Sequence, residues 1–543
     1  MQKDYDYVIV GGGSAGCVLA NRLSADPAVQ VLVLEAGPRD WNPLIRTPAG
    51  IIGLMRSKRF NWAYWTEPEP CLNQRRLFWP RGKTLGGSSA INAMCYTRGH
   101  ASDYDAWEAA GCPGWNYASL LPYFLATEAF HAGGSRYHGG GGELAVSELL
   151  SRNPYSEAFI AAGAELGLPR NDDFNGPSEE GVGFYHVMQR HGVRCSNAHA
   201  FLHPVSKRPN LHVLTGALAM QLELQGDRVT GVRIKRGRRM ICYGRSEVVL
   251  AAGAVNTPQL LLLSGIGPEQ ELRQAGVPVR HVLPGVGRNL QDHLDISVIW
   301  RSRDRRGMSL HPSALPRNAK NALQWLVQQR GELCSNVAEA GGFIRSIPSE
   351  PIPDLQLHFI PAIEEDHGLR LGRTIRYYGY TVRTCFLRPQ SRGQIGIRSA
   401  NPEQPPRIEP RYLTASGDEE RMILAVERTR ELLAQPSMRA IGKMELTPGQ
   451  NVRTRQQIRD YIRSHAETIY HPVGTCRMGI DSEAVVDPEC RVHGLRGLRI
   501  VDASIFPLLM GSNTNAPTTA IAARAADCIL GRLKTVSPGR SAA

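Results

Sequence analysis

Near the N-terminus, YDYVIVGGGSAGCVLANRLS (5–24) is followed within a few residues by VQVLVLEAG (29–37), and together they leave the chain few folding options. An apolar β run, a glycine turn, a helix-forming stretch and a second apolar run make a βαβ unit. Gly11, Gly13 and Gly16 hold the G-x-G-x-x-G spacing at its turn. The first glycine permits the tight bend, the second lets a pyrophosphate approach the backbone, and the third lets the helix pack close to the strand. Ser14 and Ala15 open the helix, where free N–H groups and the helix dipole favour phosphate. Glu35, with Ala36 beside it, ends the second strand nineteen residues after Gly16. A carboxylate there meets a ribose hydroxyl pair and disfavours a 2′-phosphate. This order predicts an adenine dinucleotide and leaves NAD and FAD both open.

Three later segments favour FAD. WPRGKTLGGSSAINAMCYTRGH (79–100) supplies a second glycine–serine turn at Gly86 and Gly87, followed by Asn92, Ala93 and Met94. EVVLAAGAVNTPQLLLLSGIGP (247–268) reads as a buried strand, a small-residue turn at Gly253 and a helix beginning near Pro258. LRIVDASIFP (498–507) is another buried strand, ending at Asp502 and Ala503. GSNTNAPTTAIAARAADCIL (511–530) then predicts a helix starting near Pro517 and Thr518. The positive end of such a helix stabilises the anionic edge of a reduced flavin, and Asp502 suits a ribitol or pyrophosphate hydroxyl. NAD needs no such C-terminal return.

Bulk properties exclude several classes. At 543 residues, more than one domain is expected. The longest apolar run, TPQLLLLSGIG, is broken by Ser264 and Gly265, so no bilayer span is expected. The start MQKDYDY has no secretory pattern. Eleven cysteines without a C-x-x-C pair point to reduced thiols in a cytoplasm and no zinc site, with Cys95 and Cys476 read as packing residues. The net charge of +13 is spread along the chain without a dense basic run, which argues against nucleic acid. SALPRNAKNALQWLVQQRG (313–331) reads as a basic amphipathic helix, suited to a solvated surface or to peripheral attachment at the inner face of the cell membrane. RLKTVSPGRSAA at the end reads as a loose tail.

GKTLGGSSAINAMCY (82–96), GAVNTPQLLLLSGIG (253–267), LPGVGRNLQDH (283–293), HPVGTCRMG (471–479) and NTNAPTTAIA (513–522) together resemble the glucose–methanol–choline (GMC) oxidoreductases. Within that family the chain is most similar to bacterial alkane-pathway FAD alcohol dehydrogenases and to choline dehydrogenase. The resemblance implies an α/β protein, α+β overall. Its discontinuous Rossmann-like FAD-binding domain would take 1–155, 196–300 and 465–535, and a substrate domain on an antiparallel sheet 156–195 and 301–464. It implies non-covalent FAD, since the residue matching the flavin-linking histidine of some members is Ile91.

Oxidising an alcohol requires a base for the hydroxyl proton while hydride leaves for the flavin. By resemblance His471 is that base, and Asn515 of NTNAPT is the amide that orients the alkoxide. The reading is oxidation of a primary, aliphatic alcohol to the aldehyde, with electrons passed to a quinone or other acceptor. Choline dehydrogenase, an oxygen-using oxidase and a hydroxynitrile-lyase-like flavoprotein are the alternatives. Asp292 and His293 of QDH are read as a local capping pair, and HFIPAIEEDHG (358–368) as a pocket-edge loop, neither as a metal site. Choline would need a carboxylate or aromatic cage, and the sequence does not position Glu364, Glu365 or Asp366 at the pocket. Oligomeric state is not legible.

Overall fold

The structure is a computed structural model that describes residues 4–533, with backbone only for 4 and 238–245. The expected tail, from residue 534 on, lies outside the described residues. Asp4–Val10 and Val31–Glu35 pair in parallel, as the opening motif requires, and Leu211–Thr215 adds to the outer edge. On the other side Asp4–Val10 pairs with Arg238–Leu250, and Leu498–Ile500 pairs with that strand in turn. The last strand therefore completes a sheet begun by the first. Val31–Glu35 is buried along its whole length, because helices or loops cover both faces of a parallel sheet. Leu218–Gln225 and Arg228–Arg236 extend the sheet as an antiparallel ribbon.

Two helices carry the sheet's chemistry. Gly253–Leu263 begins five residues before Pro258, not at it, and encloses the proline. A proline inside a helix leaves the carbonyl four residues back without its donor. Here that carbonyl, of Ala254, accepts from the Thr475 hydroxyl at 2.7 Å, so the helix continues and is tied to the HPVGT loop. Asn515–Ile529 starts two residues before Pro517 and packs against Ser14–Leu23. Its buried alanines let the two axes approach closely.

A second, antiparallel sheet runs in the order Ala340–Ile344, Leu355–Ile360, Gly379–Phe386, Leu294–Ser302, Gly442–Thr447, with Glu467–Thr468 also paired to Leu294–Ser302. Leu355–Ile360 and Gly379–Phe386 are buried on both faces. Helix Asp418–Leu433 covers one face. From the other, His358, Ile360 and Arg383 reach a central cavity. A division at 300/301 would cut through Leu294–Ser302, which belongs to this sheet along its whole length. Among the described residues no helix is long and apolar enough to cross a membrane.

A buried ion network braces the loop after residue 128. Arg98 Nη2 donates to Glu128 at 2.7 Å, and His138 bridges Glu128 (3.1 Å) and Asp173 (2.9 Å). Burial alone would lower the His138 pKa, but hydrogen bonds to Asp173 and Glu128 outweigh it and push the value up to about 9. An imidazole with a raised folded-state pKa contributes stability that is complete below its unfolded value of about 6.5 and is lost as pH climbs through the folded one. The melting temperature of the holoenzyme should therefore fall by a few °C between about pH 6.5 and 9. In His138→Gln that alkaline loss should be smaller, as read by scanning calorimetry across the same range.

Candidate functional site

One cavity of about 960 Å³ runs from the nucleotide turn to the antiparallel sheet. Gly11, Gly13, Ser14, Ala15, Glu35 and Ala36 line one part of it. Gly87, Asn92, Ala93, Met94, Gly253, Asp502, Ala503 and Thr518 line it as well, with His471 and Asn515. Gly16, Gly86 and Pro517 do not. Gly16 is a packing position: a Cβ there would lie 1.9 Å from the Gly11 carbonyl oxygen. Gly86 N–H donates to the Gly12 carbonyl at 2.7 Å, which joins the two glycine turns, and Pro517 sits in the first turn of its helix.

The nucleotide end is built from backbone donors and one carboxylate. Glu35 accepts from Gly12 N–H at 3.0 Å and Gly37 N–H at 2.6 Å. Burial raises its pKa to about 7, and those two N–H groups restrain the rise. A carboxylate so buried gains from hydroxyl donors, which a ribose supplies. Asp502 is engaged first by the protein: it accepts from Gly253 N–H (2.8 Å), Thr257 Oγ1 (2.6 Å) and Ser504 N–H (2.8 Å). It fixes the start of helix Gly253–Leu263 against the last strand. Ile91 is buried against the cavity and offers no nucleophilic atom. A cavity of this length, with glycine turns at one end and a ribose-type acid beside them, fits a bound FAD.

At the other end His471 is held from every side. Pro472 restricts its backbone to an extended form. Its N–H donates to Asp292 Oδ1 at 2.8 Å, and the preceding carbonyl, of Tyr470, accepts from Arg81 Nη2 at 2.6 Å. Asp292 also accepts from the Tyr412 and Thr468 hydroxyls. The QDH pair is therefore not a local cap. Its acid is a hub that pins the histidine loop, through partners more than a hundred residues away. Tyr470 takes a left-handed φ of 70°, a strained choice for an aromatic residue and one that clusters at functional sites.

His293, read from the sequence as part of a local cap, instead sets the tautomer. Its Nε2 lies 3.0 Å from the Leu387 carbonyl, which can only accept, so Nε2 carries the hydrogen. Burial drives the His293 pKa down to about 3, so the ring is neutral and its Nδ1 can only accept. The partner at 3.0 Å is His471 Nδ1, which must then donate. The lone pair of His471 therefore lies on Nε2. Burial first, then His293, His358 and Arg81, hold its pKa well below the usual imidazole range.

Facing that nitrogen at 3.2 Å is the amide nitrogen of Asn513. Its carbonyl oxygen accepts from Thr97 Oγ1 (2.9 Å) and Gln356 Nε2 (3.0 Å), which aims the NH₂ group at His471. Asn515, the residue expected there, points elsewhere. Its Oδ1 accepts from Ser14 Oγ at 2.7 Å and its amide nitrogen donates to Asn197 Oδ1 at 3.2 Å. Asn515 ties the last helix to the nucleotide turn. Glu364, which the sequence did not position, lines the cavity, and Arg383 Nη1 donates to it at 2.8 Å.

Comparison with known proteins agrees with this architecture. The GMC oxidoreductase family models match residues 5–295 and 389–522. The chain belongs to the GMC oxidoreductase family. An alcohol dehydrogenase [acceptor] of Pseudomonas putida is 50% identical over 98% of this chain and 97% of its own. Human mitochondrial choline dehydrogenase is 43% identical over 98% and 90%. Among solved structures, pyridoxine 4-oxidase from Mesorbium loti superposes with a TM-score of 0.87 at 34% identity, covering 96% of this chain and 98% of that one. A formate oxidase of Aspergillus oryzae superposes at 0.91 with 26% identity, covering 98% of each chain. This GMC protein is thus a flavin oxidoreductase with FAD as cofactor, built on a Rossmann-like sheet and an antiparallel substrate sheet.

Proposed function

We propose that the protein oxidises a primary, largely apolar alcohol to its aldehyde, with His471 as the base and Asn513, in place of Asn515, as the orienting amide. FAD, when bound, supplies the hydride acceptor at N5. A substrate hydroxyl that displaces the direct contact between the two side chains accepts a hydrogen bond from Asn513 and gives its proton to His471 Nε2. The Asn513 donor then steadies the negative charge that develops on oxygen as hydride departs. The observation that carries this reading is the hydrogen-bond chain from Leu387 through His293, which leaves the His471 Nε2 lone pair facing Asn513. We assign Ser14, Glu35, the two glycine turns, Gly253 and Thr518 to FAD binding.

The cavity wall favours an aliphatic substrate over choline. Leu333, Val337, Ile360, Ile363 and Leu371 line the same cavity as His471. Glu364 is the acid that a quaternary ammonium would need, and it shares Arg383 with the buried Asp295, which takes the other edge of the guanidinium. A quinone-type acceptor is the reading for the electrons, supported by the likeness to an acceptor-linked dehydrogenase.

The test is anaerobic. A medium-chain 1-alkanol added to the yellow holoenzyme should bleach the flavin band, and choline in parallel should not. Bleaching by choline alone overturns the substrate class. Cleavage of a cyanohydrin without bleaching makes the protein a lyase. Admitting air afterwards should restore the yellow colour only slowly; rapid return identifies an oxidase.

A further inference from the structure

We propose that helix Leu315–Gln328, with the segment after Trp41, docks the mouth of the cavity on an anionic phospholipid bilayer. A surface helix of a globular protein turns its apolar stripe inward. This one does the reverse. Leu315, Leu323, Leu326 and Val327 are 62%, 63%, 72% and 72% exposed. Several of its polar side chains face the protein instead: Arg317 donates to the carbonyls of Arg305 (2.9 Å) and Gly307 (2.6 Å), and Asn318 to that of Ser309 (2.9 Å). Asn321 is buried, and Trp325 donates to the Gly192 carbonyl at 3.1 Å. The outward apolar face is therefore fixed by inward hydrogen bonds, and rotating the helix would break them.

The face adjoins the cavity. Asn318 and Asn321 line the cavity from the helix's inner side, and Leu310 and Ile52, both more than 40% exposed, line it too. Leu44, 44% exposed, reaches within 3.1 Å of where a Cβ on Gly53 would stand, so the 41–60 segment continues the apolar rim.

Charge names the occupant. Residues 309–331 contain Arg317, Lys320 and Arg330 and no Asp or Glu. Residues 41–60 contain Arg46, Arg56, Lys58 and Arg59 and again no acid. Lys320, Arg330, Lys58 and Arg59 are exposed. Apolar side chains flanked by exposed cations, with the neighbouring acids Glu332, Glu365 and Asp366 each paired to an arginine (Arg317, Arg373 and Arg370), match a lipid surface that offers acyl chains under anionic headgroups. The inference does not depend on which alcohol is oxidised.

Vesicle co-sedimentation of the holoenzyme tests it. The protein should pellet with vesicles containing phosphatidylglycerol and remain in the supernatant with pure phosphatidylcholine at physiological salt. The pair Leu323→Glu and Leu326→Glu should weaken pelleting by about tenfold or more, while its flavin is reduced by a short, water-soluble alcohol at the wild-type rate. Wild type that ignores both vesicle types overturns the proposal, as does equal pelleting of the variant. A wild-type dimer by light scattering that the variant makes monomeric, without vesicle binding, also overturns it and reassigns the face to a second copy of the chain.

Discussion

His471→Ala should remain yellow and be reduced by alcohol on the order of 10²–10⁴ times more slowly than wild type. The flavin contacts at the nucleotide end do not involve this side chain, so cofactor retention and chemistry separate cleanly. Anaerobic stopped-flow absorbance measures both in one sample, and a wild-type bleaching rate would remove the histidine from the mechanism. The pH profile carries a second signature. Burial, reinforced by His293, His358 and Arg81, holds the His471 pKa well below 6.5, so the base is already free in mild acid. kcat/KM should therefore stay level as pH falls through about 6.5. A half-maximal drop centred there would mean an ordinary, solvated imidazole.

Asn513→Ala should cost about 10²–10³ in the rate of flavin reduction, the usual loss for one donor to a developing oxyanion. Asn515→Ala should behave differently. Losing the links to Ser14 and Asn197 loosens the last helix from the nucleotide turn, so FAD should dissociate more readily, with a far smaller change in the reduction rate of loaded enzyme. The contrast is decided by the two variants side by side: fluorescence of released flavin on dilution, and stopped-flow on the loaded fraction. The opposite pattern would restore the role to Asn515.

The two asparagines show where the sequence stopped being informative. Both stand in NTNAPT, two positions apart. Nothing local decides which one faces the histidine; Thr97 and Gln356, 416 and 157 residues away, aim Asn513. The nucleotide turn was legible because its chemistry is local: a helix, two strands and three glycines at fixed spacing. QDH was visible as a motif but misread, since Asp292 and His293 bond to residues 387, 412, 468 and 471 rather than to their own turn. The start of helix Gly253–Leu263 was placed too late for a related reason. The proline rule assumes an unsatisfied carbonyl, and Thr475 satisfies it. The antiparallel sheet was expected from the family resemblance, but its double-sided burial reflects a helix and a cavity that no single strand announces.

Leu498–Ile500 pairs with the strand Arg238–Leu250, and Asn515–Ile529 packs on Ser14–Leu23. The N-terminal nucleotide cradle thus waits for the final tenth of the polypeptide. During synthesis a nascent chain emerging from the ribosome has its glycine turns early but lacks the wall that closes over them. A chain truncated before residue 500 should accordingly emerge from gel filtration colourless, and a truncated protein that keeps its yellow flavin would show that the cradle closes without this wall.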